Sequence, residues 1–334
     1  MAILVTGGAG YIGSHVCVEL IKSGYEVVIV DNLVNSEFEA IKNIRRITSE
    51  APEFYLGNVE NESLLEFIMY HHNIETVIHL AGYKSVSESV ENPLKYYDNN
   101  IAGLVTLLKV MEKYNVKNLI FSSSATVYGA TNDMPLRETQ PLKAISPYGS
   151  TKLISEQILL DLFYSDNDWN IIIFRYFNPV GADASGMLGE NPKGEAQNLM
   201  PKIGKVAIGE EPCLFVYGFD YQTKDGTAVR DYIHITDIAK AHIKGIERLL
   251  KGKGLETYNL GTGKGHTVLE VIKAYERACG HSIPYRMAER RNGDVAVCYC
   301  DASKAERELG WKAEKSLDEM CEDSWRWEKW LMKQ

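Results

Sequence analysis

No apolar run in this 334-residue chain comes near the roughly 18 residues that a membrane-spanning helix needs. No basic segment followed by an apolar one leads it either, because "AILVTGG" starts at once, so a cytoplasmic protein without a targeting segment is expected. Cations are the minority: 36 Lys and Arg stand against 45 Asp and Glu, a net charge of -9. That balance argues against a bulk nucleic-acid or acidic-membrane binder and leaves room only for a local basic pocket. Cysteines number six (Cys17, Cys213, Cys279, Cys298, Cys300, Cys321) and form no framework, and a chain this long needs no disulfides in a reducing compartment. His71 and His72 have no partner at metal-ligand spacing and read as a solvated helix end, so no metal is expected. Repeats, low-complexity tracts and obvious linkers are missing too.

What is present is an ordinary globular composition, 45% hydrophobic and 24% charged, with material for about two domains at roughly 150 residues each. The first half alternates strands and helices: "AILVTG", an amphipathic stretch from His15 to Ser23, "EVVIVD", "EFYLGN", a further helix, "TVIHLAG", a helix from about Pro93 to Tyr114, "NLIFSSS", a helix after Tyr148, and "NIIIFRYFN". Apolar strands separated by helices predict right-handed βαβ units and a doubly wound parallel sheet of Rossmann type. Residues 179–230 are rich in Gly, Pro and Asn and less regular. The segment 233–262, with a helix from about Ile235 to Lys251 and the strand "TYNLGTG", can return to the first sheet. The expected division is residues 1–178 (with 233–262) as a dinucleotide-binding domain and 179–334 as a smaller α+β lobe for substrate.

"VTGGAGYIG" places Gly7, Gly10 and Gly13 directly after a strand and at the opening of a helix. There a tight turn brings backbone N–H groups and the positive end of a helix dipole to a pyrophosphate. The second strand ends in Asp31, which can accept from both ribose hydroxyls and would repel a 2′-phosphate, so the cofactor is read as NAD. "NLGTGKGHT" imitates a phosphate loop, but Gly265 follows Lys264 where Ser or Thr is required, and a plain turn after a strand is the better reading.

"SPYGSTK" sets Tyr148 and Lys152 four apart on one helix face. An ammonium and a cationic nicotinamide would both favour the phenolate. Lowering a phenol from about 10 to about 7 corresponds to roughly 4 kcal/mol at 1.36 per unit. This pair alone is common by chance. Ser122, Ser123 and Ser124 end the strand "NLIFSSS", at the carboxyl edge where doubly wound sheets bind ligands, and three such features in this order are specific.

With these residues in place, and with "YYDNN", "FSSSATVYG", "RYFNPVGA", "NLMP", "YNLGTG" and "DASKAERELGW" along nearly the whole length, the chain resembles the extended short-chain dehydrogenases/reductases. Within them it is most similar to the UDP-glucose 4-epimerase family. The resemblance implies NAD contacts from Gly7, Gly10, Tyr11, Ile12 and Gly13 at the turn, and from Asp31, Asn32, Asn35, Asn58 and Val59 at the adenosine. It adds Leu80, Ala81, Gly82, Lys84, Asn99, Ser122, Tyr148, Lys152 and Phe177 towards the nicotinamide. Asn58 departs from the family's usual Asp but keeps a carbonyl acceptor for the adenine amino group. Substrate contacts implied are Lys84, Ser124, Tyr148, Tyr176, Asn178, Asn198, Leu199, Phe215, Tyr217, Arg230, Arg291, Asp294 and Cys298, with the two arginines suited to a diphosphate and Asp294 to a ribose diol.

The implied chemistry is an isomerisation in galactose metabolism. Tyr148, biased by Lys152 and relayed by Ser124, removes the proton of the sugar 4-hydroxyl. A hydride leaves C4, and the 4-keto sugar turns over and takes the hydride back on its other face. Another UDP-sugar epimerase of the family is the near alternative; a non-catalytic nucleotide-sugar sensor is the distant one. A 4,6-dehydratase needs an acid pair just after the strand-end serine, where this chain has Ala125 and Thr126. The family also implies a homodimer formed by the helices of 93–114 and 148–164. Apolar residues there, such as Leu104, Leu107, Leu108, Leu159 and Phe163, equally suit a monomer core. Aligned with the family's motif, "RRNGDVAVCYCD" is implied to place Cys298 beside the hexose, where a small residue leaves room for a 2-acetamido group. UDP-N-acetylglucosamine and UDP-N-acetylgalactosamine are therefore expected as further substrates; core packing of Cys298 without influence on substrate choice is the other reading, and Cys300 is expected as packing.

Overall fold

The computed structural model describes residues 1–131, 133–194, 196–291 and 294–334; Gly293 of the "RRNGD" motif lies outside the described residues. Six strands come first: β1 (Ala2–Thr6), β2 (Glu26–Asp31), β3 (Glu53–Leu56), β4 (Ile74–His79), β5 (Asn118–Ser124) and β6 (Asn170–Tyr176). The chain then leaves for β7 (Asn178–Val180), β8 (Leu214–Tyr217) and β9 (Val229–His234) and comes back with β10 (Gly254–Leu260). Finally come β11 (Gly265–Thr267), β12 (Tyr285–Ala288) and β13 (Val297–Cys298). The main sheet runs β10-β6-β5-β4-β1-β2-β3, and each of its pairings is parallel. A second sheet orders β11-β9-β13 with β7 also on β9, and β8 pairs β12.

Helices cover both faces of the main sheet, so its central strands are buried end to end and read as continuous apolar runs. Alternate residues serve opposite cores. Ile3 and Val5 of β1 face the core that holds Val16 and Leu20 of the Tyr11–Lys22 helix and Ile238 of the Ile235–Leu249 helix. Leu4 faces the other, with Leu65, Leu107, Leu108 and Leu159. A third core lies between the Leu199–Ala207, Val268–Cys279 and Leu317–Leu331 helices. This arrangement sends the carboxyl ends of β1, β2, β4, β5 and β6 to one edge of the sheet.

Two expected helices begin or break elsewhere. The first starts at Tyr11 rather than His15, with Gly10 as its N-cap. The long helix from Pro93 to Tyr114 is in fact Pro93–Tyr97, a π-helical turn at Asp98–Ala102, and Gly103–Lys113. Asn100, inside the wide turn, explains the departure. Its side chain accepts from Tyr83 N (2.9 Å) and donates to the Tyr83 carbonyl (3.0 Å) and to Thr151 Oγ1 (3.1 Å). Inserted residues of this kind recur at functional sites.

Candidate active site

The first glycine turn is shaped by contact with its neighbours. Gly7 has φ +72, and a Cβ there would lie 2.7 Å from Ala81 N, so the turn is pressed against the end of β4. At Gly13 a Cβ would meet the Gly7 carbonyl oxygen at 2.2 Å. Gly10 is different: its virtual Cβ meets only Gly7 O, at 3.3 Å, and no side chain caps the helix behind it. An uncapped helix start reached over a residue without a side chain is a cradle for an anion. Asp31 is 8% exposed and already accepts from Ala9 N (3.0 Å), Leu33 N (2.8 Å) and Ser36 Oγ (2.8 Å). Of a carboxylate's roughly four lone-pair sites, one remains for a ribose hydroxyl, and rotation of Ser36 frees another. Asn32 donates to Asn58 Oδ1 at 2.6 Å, so the two residues expected at the adenosine are bonded to each other. These groups fit a dinucleotide without a 2′-phosphate.

Across the sheet edge, Ser146 caps the Pro147–Ser165 helix by accepting from Gly149 N at 3.1 Å, with Pro147 in its first turn. Tyr148 and Lys152 therefore project from the first turns towards β5. Burial raises the Tyr148 phenol above its ordinary value, and the hydroxyl of Ser124 pulls it back down. Ser124 Oγ accepts from Thr126 N (3.2 Å), which leaves its own proton to be donated to the phenol. Lys152 donates to the Ser122 carbonyl at 2.7 Å, and burial brings its ammonium down to about 8 while the Glu156 carboxylate pulls it up. Glu156 is pinned by Ser123 Oγ (2.5 Å) and by Arg175 through Nε (3.0 Å) and Nη2 (2.6 Å). The arrangement can take up and return a proton at the phenol oxygen with a cation held one helical turn away.

The residues expected at the substrate, and the remaining ones expected at the cofactor, fall into groups. Arg230 and Asp294 face each other (3.4 Å), and Cys298 lies beside Arg230 in the β13–β9 register. The Arg291 guanidinium lies 4.1 Å from the centre of the Tyr217 ring, and Phe215, half exposed, is on the same strand. Lys84 and Asn198 meet on Glu190, at 2.6 and 2.7 Å. Leu199 opens the helix behind Asn198. Asn178 starts β7 against Tyr232, and Phe177 is buried with Ala125 and Cys298 around it. Asn99 donates to Asn100 Oδ1, and Leu80 N and Ala81 N both bond Thr6, next to Gly82. Ile12 packs against the first core and Val59 lies in the second, and Asn35 Oδ1 accepts from Lys193 N at 3.2 Å. The Tyr176 hydroxyl bonds His242 Nε2 at 2.8 Å on its core side. Burial pushes the phenol up, the Ser122 hydroxyl pulls it down and the neighbouring Tyr148 phenol raises it, so it also borders the site. Burial pushes the Cys298 thiol up to about 11, and Cys300 is packed on Asp231, so neither is a nucleophile at neutral pH.

Asn100, Glu156, Arg175 and Glu190 were not identified from sequence. Asn100 stood in the quoted "YYDNN", but helical periodicity gives no sign of a π turn. The others act through partners far along the chain.

Fold and site together define a dinucleotide-dependent enzyme of the extended short-chain dehydrogenase/reductase class. A family model described as GDP-mannose 4,6 dehydratase matches residues 4–324. The UDP-glucose 4-epimerase of Bacillus subtilis (strain 168) is 54% identical over 328 residues, 98% of this chain and 97% of that protein. The crystal structure of the UDP-glucose 4-epimerase from Bifidobacterium longum, in complex with NAD+ and UDP, is 52% identical, with a TM-score of 0.96 over 98% of each chain. That from Stenotrophomonas maltophila, with bound NAD and formylated UDP-arabinopyranose, is 49% identical, with a TM-score of 0.98 over 100% of this chain and 99% of that one. The chain belongs to the UDP-glucose 4-epimerase family.

Proposed function

We propose that this protein interconverts UDP-glucose and UDP-galactose by inverting C4 of the hexose. The observation that carries the reading is the juxtaposition of Ser124, Tyr148 and Lys152 at the end of β5. NAD, when bound, supplies a reversible hydride acceptor. Tyr148 takes the proton of the 4-hydroxyl and later returns it, Ser124 donates to the phenolate, and the Lys152 ammonium favours that charge. Arg230 and Arg291 anchor the diphosphate, so binding energy is spent away from the sugar that must turn over. Dehydration is disfavoured, because Ala125 and Thr126 follow Ser124 in a 3-10 turn and bring no carboxyl group.

Residues 1–178 with 233–262 make the cofactor domain in this reading, and 179–334 otherwise make the sugar-nucleotide lobe. Cys298 gates substrate size and admits UDP-N-acetylhexosamines; Cys298→Tyr should lose turnover of these while sparing UDP-galactose. The protein works as a cytoplasmic homodimer. Among the described residues no helix is long and apolar enough to cross a membrane. Leu104, Leu107, Leu108 and Leu159 are core, so the pairing face is assigned instead to Leu94, Ile154 and Tyr164, which are exposed. Sedimentation tests it. The reaction is tested by product analysis with UDP-galactose. Tyr148→Phe should lower turnover by roughly 10²–10⁴-fold while UDP-galactose still binds; a fully active Tyr148→Phe protein overturns the assignment.

A further inference from the structure

Glu190 lies on the loop between β7 and the Leu199–Ala207 helix, and its side chain is only 8% exposed. One carboxylate oxygen, Oε1, accepts from both Lys84 Nζ (2.6 Å) and Asn198 Nδ2 (2.7 Å). Lys84 belongs to the turn after β4, on the cofactor side; Asn198 is the N-cap residue of a helix in the other lobe and contributes no side-chain cap of its own. The backbone at Glu190 is fixed as well. Trp327 Nε1 donates to its carbonyl at 3.3 Å, and the indole is packed so closely on Gly189 that a Cβ there would sit 2.4 Å away. A few residues on, Lys193 Nζ reaches the Leu33 carbonyl (2.7 Å), so the same loop also rests on the turn after Asp31.

An exposed ion pair contributes little, and the Lys84 side chain is 47% exposed. The weight of this contact is geometric. A nearly buried carboxylate oxygen with two donors sets where both donors can be; Lys84 is expected at the dinucleotide as well as at the substrate, and Asn198 at the substrate alone. We propose that Glu190 is a positioning residue that couples the two sites, so that loss of its carboxylate loosens the hold on the dinucleotide and on the UDP moiety together. This rests on the proposed function and on the ligand contacts that the family resemblance implies for Lys84 and Asn198. Coupling through one shared group is reciprocal and typically amounts to 5–150-fold in affinity.

The test uses the purified holoenzyme with Glu190→Ala and Glu190→Gln. UDP binding is measured by calorimetry, NAD content after gel filtration, and KM and kcat with UDP-galactose. Glu190→Ala should weaken UDP about tenfold, shed NAD on gel filtration and, assayed with NAD added to saturation, raise KM by a similar factor with kcat changed less than twofold. Glu190→Gln keeps an oxygen for Asn198 but no countercharge for Lys84, so UDP affinity should stay within about threefold while NAD is still lost. A Glu190→Ala protein that binds UDP and retains NAD like the parent overturns the proposal, as does one that merely melts earlier with both ligands held normally. Binding and retention are read without turnover, so a parent protein that fails to epimerise would refute the proposed function and leave the Glu190 result standing.

Discussion

Two glycine-rich turns follow strands of the same sheet, and they meet opposite fates. After β1, Asp31 supports the turn from the side through Ala9 N, and the helix start at Gly10 stays uncapped. After β10, Asp231 reaches into the turn itself. Its fully buried carboxylate accepts from Thr262 N (2.8 Å), Thr262 Oγ1 (2.7 Å), Gly263 N (3.0 Å) and Cys300 N (3.3 Å). The second turn is an anion site whose anion is part of the chain. Glycine spacing thus shows that a backbone can approach a negative charge. What decides function is whether the protein already supplies that charge.

The largest expected effect is on the filled turn. Asp231→Ala strands several buried donors and should cost about 3–5 kcal/mol in denaturant unfolding. A variant of parental stability would break the contrast. On the open side the damage should be to chemistry. Lys152→Met should lower turnover by roughly 10²-fold or more with little change in Tm. With its ammonium at about 8, Lys152 is charged at pH 7 and mostly neutral at pH 9, so parental activity should fall as pH rises through about 8. In Lys152→Met that limb should vanish, leaving residual turnover that climbs with pH as the Tyr148 phenol ionises.

A matched pair sharpens the comparison. Gly261→Ala puts a Cβ 2.4 Å from Cys300 Sγ and 2.6 Å from Asp231 Oδ2 and should cost about 1–3 kcal/mol without affecting NAD content. Gly10→Ala should cost about 1 kcal/mol or less and weaken NAD retention about tenfold. The smallest effect belongs to exposed Lys264, the imitation phosphate-loop lysine. Lys264→Ala should change stability by no more than about 0.5 kcal/mol and leave UDP and NAD binding intact. A loss of nucleotide binding there would undo the distinction.

The alternating strands and helices were legible because burial on both faces imposes long apolar runs such as "NIIIFRY", and the order of motifs placed Ser124, Tyr148 and Lys152 at one edge. Local pattern carries no information on how side chains are consumed. The Tyr176 hydroxyl is held by His242 in the core and the Asn58 carbonyl by Asn32, pairings that no local pattern shows. The buried set in which Arg175 joins Glu156, Tyr128 and Asn259 is assembled from four separate segments. Each of its members is an ordinary polar residue in sequence, and only the tertiary pairing makes it a support for the helix that carries Lys152.

The late return of β10 to the main sheet bears on how the molecule comes into being. As the ribosome extends the chain, β6 emerges with its "NIIIFRY" edge unpaired, and the strand that covers it is made only after β9 and the Ile235–Leu249 helix. A nascent or proteolysed fragment ending near residue 178 would thus present an apolar parallel edge as a template for intermolecular pairing. The main sheet cannot be completed ahead of residues 179–253, and a chain that ends after β6 lacks its edge strand.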